Sequence, residues 1–197
     1  MRCFGDGDPL YEAYHDEEWG IPVTEERALY ERISLEAFQS GLAWITILRK
    51  REGFRRAFAG FDPEVVATFG DDDVARLMAD ASIVRNRMKI EATIANARAL
   101  LGLREQGIDL AELVWSFAPD RDGFEPAVEL RGLPATTPES RALAKCLKQL
   151  GFRFVGPTTA YAAMQACGLV NDHLAACPCR DRVEQARAAW LASRTAA

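Results

Sequence analysis

The sequence contains no long apolar run. None of its hydrophobic stretches approaches the roughly 18–20 residues that a helix needs to span a bilayer. Its first ten residues, MRCFGDGDPL, also lack the basic start and the apolar stretch of a secretory signal peptide. We therefore expect a cytoplasmic protein that has no membrane partner.

Cysteine and histidine are scarce, with five cysteines and two histidines in 197 residues. An odd number of cysteines without a secretion signal argues against a framework of disulfides. Cys177 and Cys179 are also too close in sequence to form ordinary disulfide cross-links. Metal binding is therefore the better interpretation for some of these thiols.

An excess of positive charge is missing, because 24 Lys and Arg residues stand against 29 Asp and Glu residues, for a net charge of −5. A typical nucleic-acid-binding protein has a basic excess. Any contact with DNA must therefore come from a local basic face. Hydrophobic residues make up 49% of the chain, which is enough to bury the core of one large domain or of two small lobes.

Alternating strand patterns are absent too, and helical periodicity predicts an all-α protein. Asp8-Pro9, Asp62-Pro63 and Thr137-Pro138 each place a capping side chain before a proline that can start a helix. Thr24 is a further candidate cap. Helices are predicted over about 9–19, from 25, over 42–59, from 63, from 71, and over 86–103, 138–150 and 157–167. Residues 118–138 are predicted as a long loop, and 181–197 as a tail that can form a frayed helix.

The segment KQLGFRFVGPTTAYAAMQACG is predicted to join two helices by a tight turn between Gly151 and Gly156. Phe152, Phe154 and Val155 can insert into the core. The helix that starts at Pro157 would direct free N–H groups outward, which suits a DNA phosphate. An ordinary corner between two helices has the same pattern, and the spacing alone leaves both interpretations open.

Both histidines lie near cysteines at spacings that suit metal ligands. Cys3 precedes His15 by twelve residues, and His173 precedes Cys177 by four. A structural zinc ion takes four Cys or His ligands, and one pair from each end would close a site between the termini. Histidines that serve only as capped surface or core residues remain the alternative. The segment HDEEW lacks the second histidine of the metalloprotease motif, because Trp19 occupies that position.

Glu36 lies in the largely apolar segment SLEAFQSGLAW, where a buried carboxylate would need partners. Tyr11 and Tyr14 are three residues apart and share a helix face, and Trp44 follows Glu36 by eight residues. Aromatic walls with one acidic group suit a flat ligand that is cationic or forms hydrogen bonds, such as a methylated purine. A glutamate that faces water beside an aromatic core remains the alternative.

Taken together, these segments resemble the 3-methyladenine DNA glycosylase I family over about residues 2–179. The blocks that carry the resemblance are DPLYEAYHDEEWG, SLEAFQSGLAWITIL, RNRMKIEATIANARA, VWSF and GFRFVGPTTAYAAMQACGLVNDH. The resemblance implies the all-α, helix-hairpin-helix DNA glycosylase fold, with a zinc site that joins the N- and C-terminal segments. It implies one unit over 1–180, in which the active site lies between two helical lobes, and it assigns no role to the tail at 181–197.

The resemblance also implies roles for individual residues. The ligands of a structural zinc ion would be Cys3, His15, His173 and Cys177. The base pocket would consist of Tyr11, Tyr14, Glu36 and Trp44, with Glu36 as the catalytic residue. The DNA-intercalating turn would be Gly41 and Leu42. The stretch from Cys3 to Asp8 is one residue shorter than the common family pattern, and Phe4 stands where many members have a nearby tryptophan.

One absence is notable within the wider superfamily. Many helix-hairpin-helix glycosylases carry a catalytic aspartate after the hairpin, in the pattern V-D-x-H. Here the corresponding residues are Val170-Asn171-Asp172-His173, so Asn171 holds the aspartate position. Asp172 is expected to point elsewhere.

The implied activity is hydrolysis of the N-glycosyl bond of 3-methyladenine in double-stranded alkylated DNA. The enzyme would be a monofunctional monomer that extrudes the damaged nucleotide and releases free 3-methyladenine. Candidates for the basic face, beside backbone donors near Gly156, are Arg49, Lys50, Arg85, Arg87, Lys89 and Arg153. The alternatives are a non-catalytic DNA-binding module with a zinc clasp, and a zinc hydrolase, for which the chain has few spare ligands.

Overall fold

A computed structural model describes residues 1–120 and 125–195, which form ten α-helices and no strand. The helices are α1 Pro9–Ala13, α2 Glu26–Gln39, α3 Trp44–Ala57, α4 Pro63–Ala67, α5 Asp71–Ala79, α6 Arg87–Glu105, α7 Leu110–Trp115, α8 Pro138–Gln149, α9 Pro157–Ala166 and α10 Arg180–Thr195. The predicted all-α class is therefore confirmed for these residues. Parts of the predicted loop and tail, residues 121–124 and 196–197, lie outside the described residues.

Three of the four predicted helix caps form. The carboxylates of Asp8 and Asp62 each accept two backbone N–H groups of the following turn, and Thr137 accepts the N–H of Ser140. The prediction for Thr24 is wrong, because α2 begins one residue later and has no side-chain cap. The chain before α2 is held extended instead, since Val23 donates its N–H to the carbonyl of Cys167, 3.0 Å away.

The first helix changes geometry after Ala13. Residues Tyr14–Glu18 form a π-helical turn, closed by a 2.9 Å hydrogen bond from the N–H of Trp19 to the carbonyl of Tyr14. Such turns are rare and occur often at functional sites. This one buries Tyr14 and His15 side by side. The segment predicted as a single helix over 9–19 therefore consists of a short α-helix followed by a π-helical turn.

The C-terminal tail is an integral helix, although the sequence predicted a frayed one at best. Val183 is fully buried, and the buried Arg187 donates to the carbonyls of Gly168 and Leu169 at 2.7 and 2.8 Å. The ring of Trp190 packs on that of Trp115, on the short helix α7 that the sequence analysis did not predict. Helix α10 thereby covers the chain that follows α9.

Helix α2 lies at the centre of the described structure and contacts α3, α6, α7 and α9. Its buried positions include Leu29, Tyr30, Ile33 and Phe38. Glu36 is on the same helix and is therefore held inside the packed core. The division into two lobes stays a prediction. None of the described helices combines the length and apolar character needed to cross a membrane.

Helices α8 and α9 pack together as the predicted hairpin. Phe152 and Val155 are buried, as expected, but Phe154 is only half-buried and has a φ of 60°. Asn96 on α6 holds the turn through both backbone groups of Arg153, at 2.7 Å from its N–H and 3.1 Å from its carbonyl. This double contact stabilises the backbone beside the strained Phe154.

Candidate functional site

All four predicted base-pocket residues line one cavity of about 220 Å³ beside the C-terminal half of α2. Tyr11 belongs to α1, Tyr14 to the π-helical turn, Glu36 to α2 and Trp44 to the start of α3. Sequence reasoning missed other lining residues, among them Trp19, Gln39, Leu130, Leu133 and Gln165. Of these, only Gln39 could have been found from the sequence, because it follows Glu36 by three residues on one helix and so shares its face.

Aromatic rings form most of the wall. The ring centroids of Tyr14 and Trp44 are 5.2 Å apart, and Phe4 lies 5.0 Å from both Tyr11 and Trp19. These spacings are typical of favourable aromatic pairs. Phe4 therefore contributes a wall at the place where the sequence departs from the common family pattern. The indole N–H of Trp44 is buried and has no hydrogen-bond partner in the part of the chain that the structure describes.

Glu36 is the acidic group of this cavity, with 5% of its surface exposed. Burial raises the pKa of its carboxyl to about 8, against the opposing charge of Arg32 one turn earlier on α2. No group among the described residues forms a hydrogen bond with this carboxyl. A buried acid without a partner is costly, so a ligand that brings a positive charge or N–H donors would compensate it.

Arg32 is held beneath the cavity by its own partners. Its guanidinium lies 5.6 Å from the centre of the Tyr14 ring and donates to Glu18 at 2.5 Å. Burial alone would raise the pKa of Glu18, but the hydrogen bond from Arg51 and the charge of Arg32 hold it below its ordinary value. The positive charge near Glu36 is therefore fixed in place by a paired carboxylate.

The predicted intercalating turn lies at the mouth of the cavity. Gly41 has a φ of +81°, a conformation that favours glycine, and Leu42 is 42% exposed. A second groove of about 290 Å³ is lined by both residues and by Thr158 at the start of α9, and it shares Glu36 with the cavity. An exposed leucine thus stands between the cavity and the hairpin helix.

The four predicted metal ligands also meet. The ligand atoms of Cys3, His15, His173 and Cys177 all lie within 4.8 Å of one another, and all four residues are buried. The sulfur of Cys177 is 3.2 Å from Nδ1 of His173 and 3.5 Å from Nε2 of His15, and the sulfur of Cys3 is 3.6 Å from Nδ1 of His173. Zinc–ligand bond lengths in a tetrahedron predict about 3.6 Å between sulfur and nitrogen. The residues therefore fit a zinc ion.

The surroundings of the two histidines favour the same conclusion. Nδ1 of His15 lies 2.8 Å from the carboxylate of Asp16, and Nε2 of His173 lies 3.0 Å from the carbonyl of Trp19. Both oxygens accept, so each ring carries its proton there and directs its other nitrogen toward the cysteines. Burial lowers the pKa of His173 to about 4, which keeps the ring neutral. Ligating histidines commonly have such partners.

Asn171, at the aspartate position of related glycosylases, does not line the cavity. Its amide donates to the carbonyl of Arg180 and to Glu184, at 3.0 and 2.9 Å. Asp172 accepts hydrogen bonds from Tyr161 at 2.5 Å and from Gln165 at 2.9 Å. Because Gln165 lines the cavity, Asp172 can influence the cavity through the side chain of Gln165.

The predicted basic face is wrong for one member. Lys89 is 5% exposed, and its ammonium group donates to the carbonyls of Phe38 and Ser40 at 2.8 and 2.6 Å. It therefore caps the end of α2 inside the protein. Arg85 and Arg153 are exposed, whereas Arg49, Lys50 and Arg87 are engaged by Asp8, the carbonyl of Ala81 and Glu91 respectively.

Comparison with known proteins resolves the family. A sequence model described as "Methyladenine glycosylase" matches residues 4–181. The chain belongs to this family. The family predicted from the sequence is therefore confirmed.

Curated relatives include a DNA-3-methyladenine glycosylase 1 of Escherichia coli, 51% identical over 172 residues, which are 87% of this chain and 92% of that protein. A DNA-3-methyladenine glycosylase of Haemophilus influenzae is 43% identical over 180 residues, which are 91% of this chain and 97% of that protein.

Solved structures of family members share the fold. A crystal structure of a 3-methyladenine DNA glycosylase I is 50% identical, with a TM-score of 0.87 over 91% of this chain and 100% of that one. A second structure concerns 3-methyladenine recognition by the enzyme from Staphylococcus aureus. It is 35% identical, with a TM-score of 0.83 over 90% of this chain and 95% of that one.

Proposed function

We propose that this chain is a DNA-3-methyladenine glycosylase, which hydrolyses the N-glycosyl bond of 3-methyladenine in double-stranded alkylated DNA. Membership of the family and the names of its relatives support this assignment. The observation that carries it is the buried carboxyl of Glu36, which has no hydrogen-bond partner among the described residues and lies in a cavity of aromatic rings. A cationic, flat base with N–H donors supplies what this carboxyl lacks.

The damaged nucleotide leaves the base stack to reach this cavity. Glu36 is buried, and a base inside a duplex cannot approach it. Extrusion of a nucleotide costs a few kcal/mol. Leu42, exposed at the mouth, would fill the gap that the nucleotide leaves, while N–H groups at the start of α9 hold a phosphate. The Gly41-Leu42 turn and the hairpin would thus contact DNA on the same side of the cavity.

Glu36 would recognise the edge of the adenine base through hydrogen bonds. Its carboxylate accepts hydrogen bonds from the base, and a charged hydrogen bond in a dry site contributes roughly 1.5–3 kcal/mol. Trp44 and Tyr11 would stack on the base or form walls beside it, and Tyr14 would assist Glu36. The aromatic faces also favour a positive charge. Glu36 therefore selects the base, and the rings supply affinity.

The chemistry requires little acid catalysis. Adenine methylated at N3 is cationic, so its glycosidic bond is already weakened and the base leaves neutral. Ionised Glu36 would stabilise the positive charge that develops on the sugar as the glycosidic bond breaks, while water adds to the sugar and gives up a proton to solvent. The chain has four lysines, and none lines the cavity. This supports a monofunctional reaction without a Schiff base. The position of Asn171, tied to α10, fits a mechanism without the aspartate of related enzymes.

The four ligands Cys3, His15, His173 and Cys177 would hold a structural zinc ion. When bound, zinc links the N-terminal segment to the loop after α9 and neutralises the two buried thiolates. These four side chains would supply all four ligands of a structural zinc ion, so they would leave no position for a substrate. This argues against the zinc hydrolase considered above. The ion would therefore stabilise the wall that carries Phe4 and Trp19, and take no part in catalysis.

Release of base from DNA distinguishes this function from that of a non-catalytic DNA-binding module. Methylated duplex DNA is incubated with the protein, and released bases are identified by mass. We expect 3-methyladenine to be released. Glu31→Gln, which removes a carboxylate on the same helix outside the cavity, serves as the control for Glu36→Gln. Binding of methylated DNA without release of any base would contradict the proposal. The experiment also separates activity from affinity, since DNA binding is measured on the same samples.

A further inference from the structure

Lys89 is a buried cation that forms no ion pair among the described residues. It lies in the first turn of α6, and both hydrogen bonds of its ammonium group go to carbonyls at the end of α2, those of Phe38 and Ser40. A cation at the C-terminal end of a helix is stabilised by the helix dipole. Burial of a charged group costs free energy and needs such compensation. A side chain that only filled space would not require it.

The same ammonium group contacts the hairpin. Its nitrogen lies 6.0 Å from the centre of the Phe154 ring, a distance at which a cation and an aromatic face attract each other. Two turns further along α6, Asn96 holds both backbone groups of Arg153. One face of α6 therefore contacts both the end of α2 and the turn between α8 and α9.

We propose that Lys89 is a positioning residue that holds the Gly41-Leu42 turn at a set distance and angle from the α8–α9 hairpin. This inference rests on the proposed function, in which Leu42 enters the duplex while the hairpin binds phosphates. Both elements must then engage one rigid DNA backbone at the same time. Lys89 touches the residue next to Gly41 on one side and Phe154 on the other.

The residues at the tip of the turn make few contacts of their own. Gly41 has no side chain, and apart from its chain neighbours no described residue lies within 4 Å of the place where one would begin. Leu42 is exposed, and its N–H donates to the carbonyl of Gln39 at 2.6 Å. Helix α2 packs on α9, and the bond from Lys89 to Ser40 adds a direct link between the turn and α6. Loss of that bond frees the turn without touching the aromatic wall.

The structure offers a matched control. Tyr30 on α2 donates its hydroxyl to the carbonyl of Thr93 on α6 at 2.9 Å, and it is fully buried. Tyr30→Phe therefore removes a buried hydrogen bond between the same two helices, away from the turn. Lys89→Met removes the ammonium group and keeps the apolar stem. Both variants are expected to lower the melting temperature, so stability alone does not separate them.

The test compares three measurements on each purified variant: binding of free 3-methyladenine, single-turnover excision from methylated duplex DNA below saturation, and fluorescence of 2-aminopurine placed beside the lesion. For Lys89→Met we expect base affinity within twofold of the parent. We expect at least tenfold slower excision and a reduced fluorescence increase on binding. Tyr30→Phe should leave all three within twofold, and Lys89→Arg, which retains a cation with several donors, should recover part of the lost excision.

Two results would overturn the proposal: unchanged excision by Lys89→Met, or an equal loss of base affinity and excision, which would indicate general damage to the cavity. If Lys89→Met does not fold, Lys89→Gln, which keeps a polar donor group, replaces it. The same comparison is then made between its loss of excision rate and its loss of base affinity. The fluorescence signal requires no bond cleavage. It therefore tests Lys89 even if the parent protein releases no base, a result that would count against the proposed function alone.

Discussion

Arg32 and Glu36 lie one turn apart on α2, and the charge of Arg32 opposes the effect of burial on the pKa of Glu36. Burial is the stronger influence and raises that pKa to about 8. The carboxyl is therefore mostly protonated near neutral pH, and a cationic base that enters the cavity favours its ionised form. If the proposed substrate binds here, its binding and the ionisation of Glu36 should be coupled.

Stability should depend on pH through Glu36. Between about pH 4.5 and 8 the folded protein keeps the proton on Glu36, whereas the unfolded chain has lost it. Stability should therefore fall as pH rises through this window, by roughly 1.4 kcal/mol for each unit. Glu36→Gln lacks this decline and should be the more stable protein at pH 8.

Urea unfolding of both proteins at a series of pH values measures the difference. The useful quantity is the gap between the two unfolding free energies, because other titrating groups affect both proteins alike. A gap that stays constant from pH 5 to 8 would show that the Glu36 carboxyl titrates normally. It would also remove the reason to regard it as a desolvated acid.

Glu36 and Trp44 should differ in what they contribute to base binding. Glu36→Gln keeps the shape of the side chain but turns one acceptor oxygen into a donor. It should therefore weaken binding of 3-methyladenine and slow its excision. Trp44 is a buried residue at the start of α3, and its replacement by alanine would also cost roughly 3–5 kcal/mol of stability. Trp44→Phe is therefore the cleaner variant.

Trp44→Phe should weaken the binding of every base by a similar amount. The loss should be at most the roughly 1–3 kcal/mol of a base–aromatic contact. Calorimetry with 3-methyladenine and with other purines compares the two variants directly. We expect loss of discrimination for Glu36→Gln and loss of affinity without loss of discrimination for Trp44→Phe. If Glu36→Gln binds and excises 3-methyladenine as well as the parent does, Glu36 is a structural residue.

The buried Cys2His2 cluster should contain about one zinc ion per chain. His173→Ala removes one ligand and the hydrogen bond to Trp19. We expect it to lower the unfolding free energy by at least roughly 3 kcal/mol, because metal binding contributes to folding. Cys146→Ser serves as the control, since Cys146 lies outside the cluster and should not change the zinc content.

Metal analysis and thermal melts of the three proteins test this prediction. The loss should lower the melting temperature by at least about 6 °C for a protein of this size. A parent protein without zinc, or a His173→Ala variant with unchanged stability, would refute a structural ion. A chelator should have the same effect on the parent as the substitution, and little effect on the variant.

Asn171 should matter for folding more than for chemistry. Its amide holds the start of α10 through Arg180 and Glu184. Asn171→Ala should therefore cost roughly 1–3 kcal/mol of stability, with the excision rate at saturating DNA within tenfold of the parent. A loss of about a thousandfold, roughly 4 kcal/mol in the barrier, would reveal a direct chemical role.

Much of the helical framework was predictable, because helix starts are local. Asp8, Asp62 and Thr137 cap the helices that their sequence positions indicated, since a cap needs only the next turn of backbone. The Cys2His2 cluster was partly predictable for a related reason. The chain has only two histidines, and each stands near a cysteine at a spacing that suits metal ligands. That pattern left a metal-free interpretation open, and the set of four residues came from the family resemblance.

Contacts between distant segments were decided only by the tertiary structure. The sequence indicates a surface cation at Lys89. In the structure Lys89 is buried and caps α2 through the carbonyl of Ser40, which lies 49 residues earlier in the chain. Leu130 and Leu133 come from a loop without helical pattern and still line the cavity, and α10 is stabilised by the chain around Gly168. Burial of a charge or an apolar side chain depends on which remote segment covers it. Local periodicity carries no information about that partner.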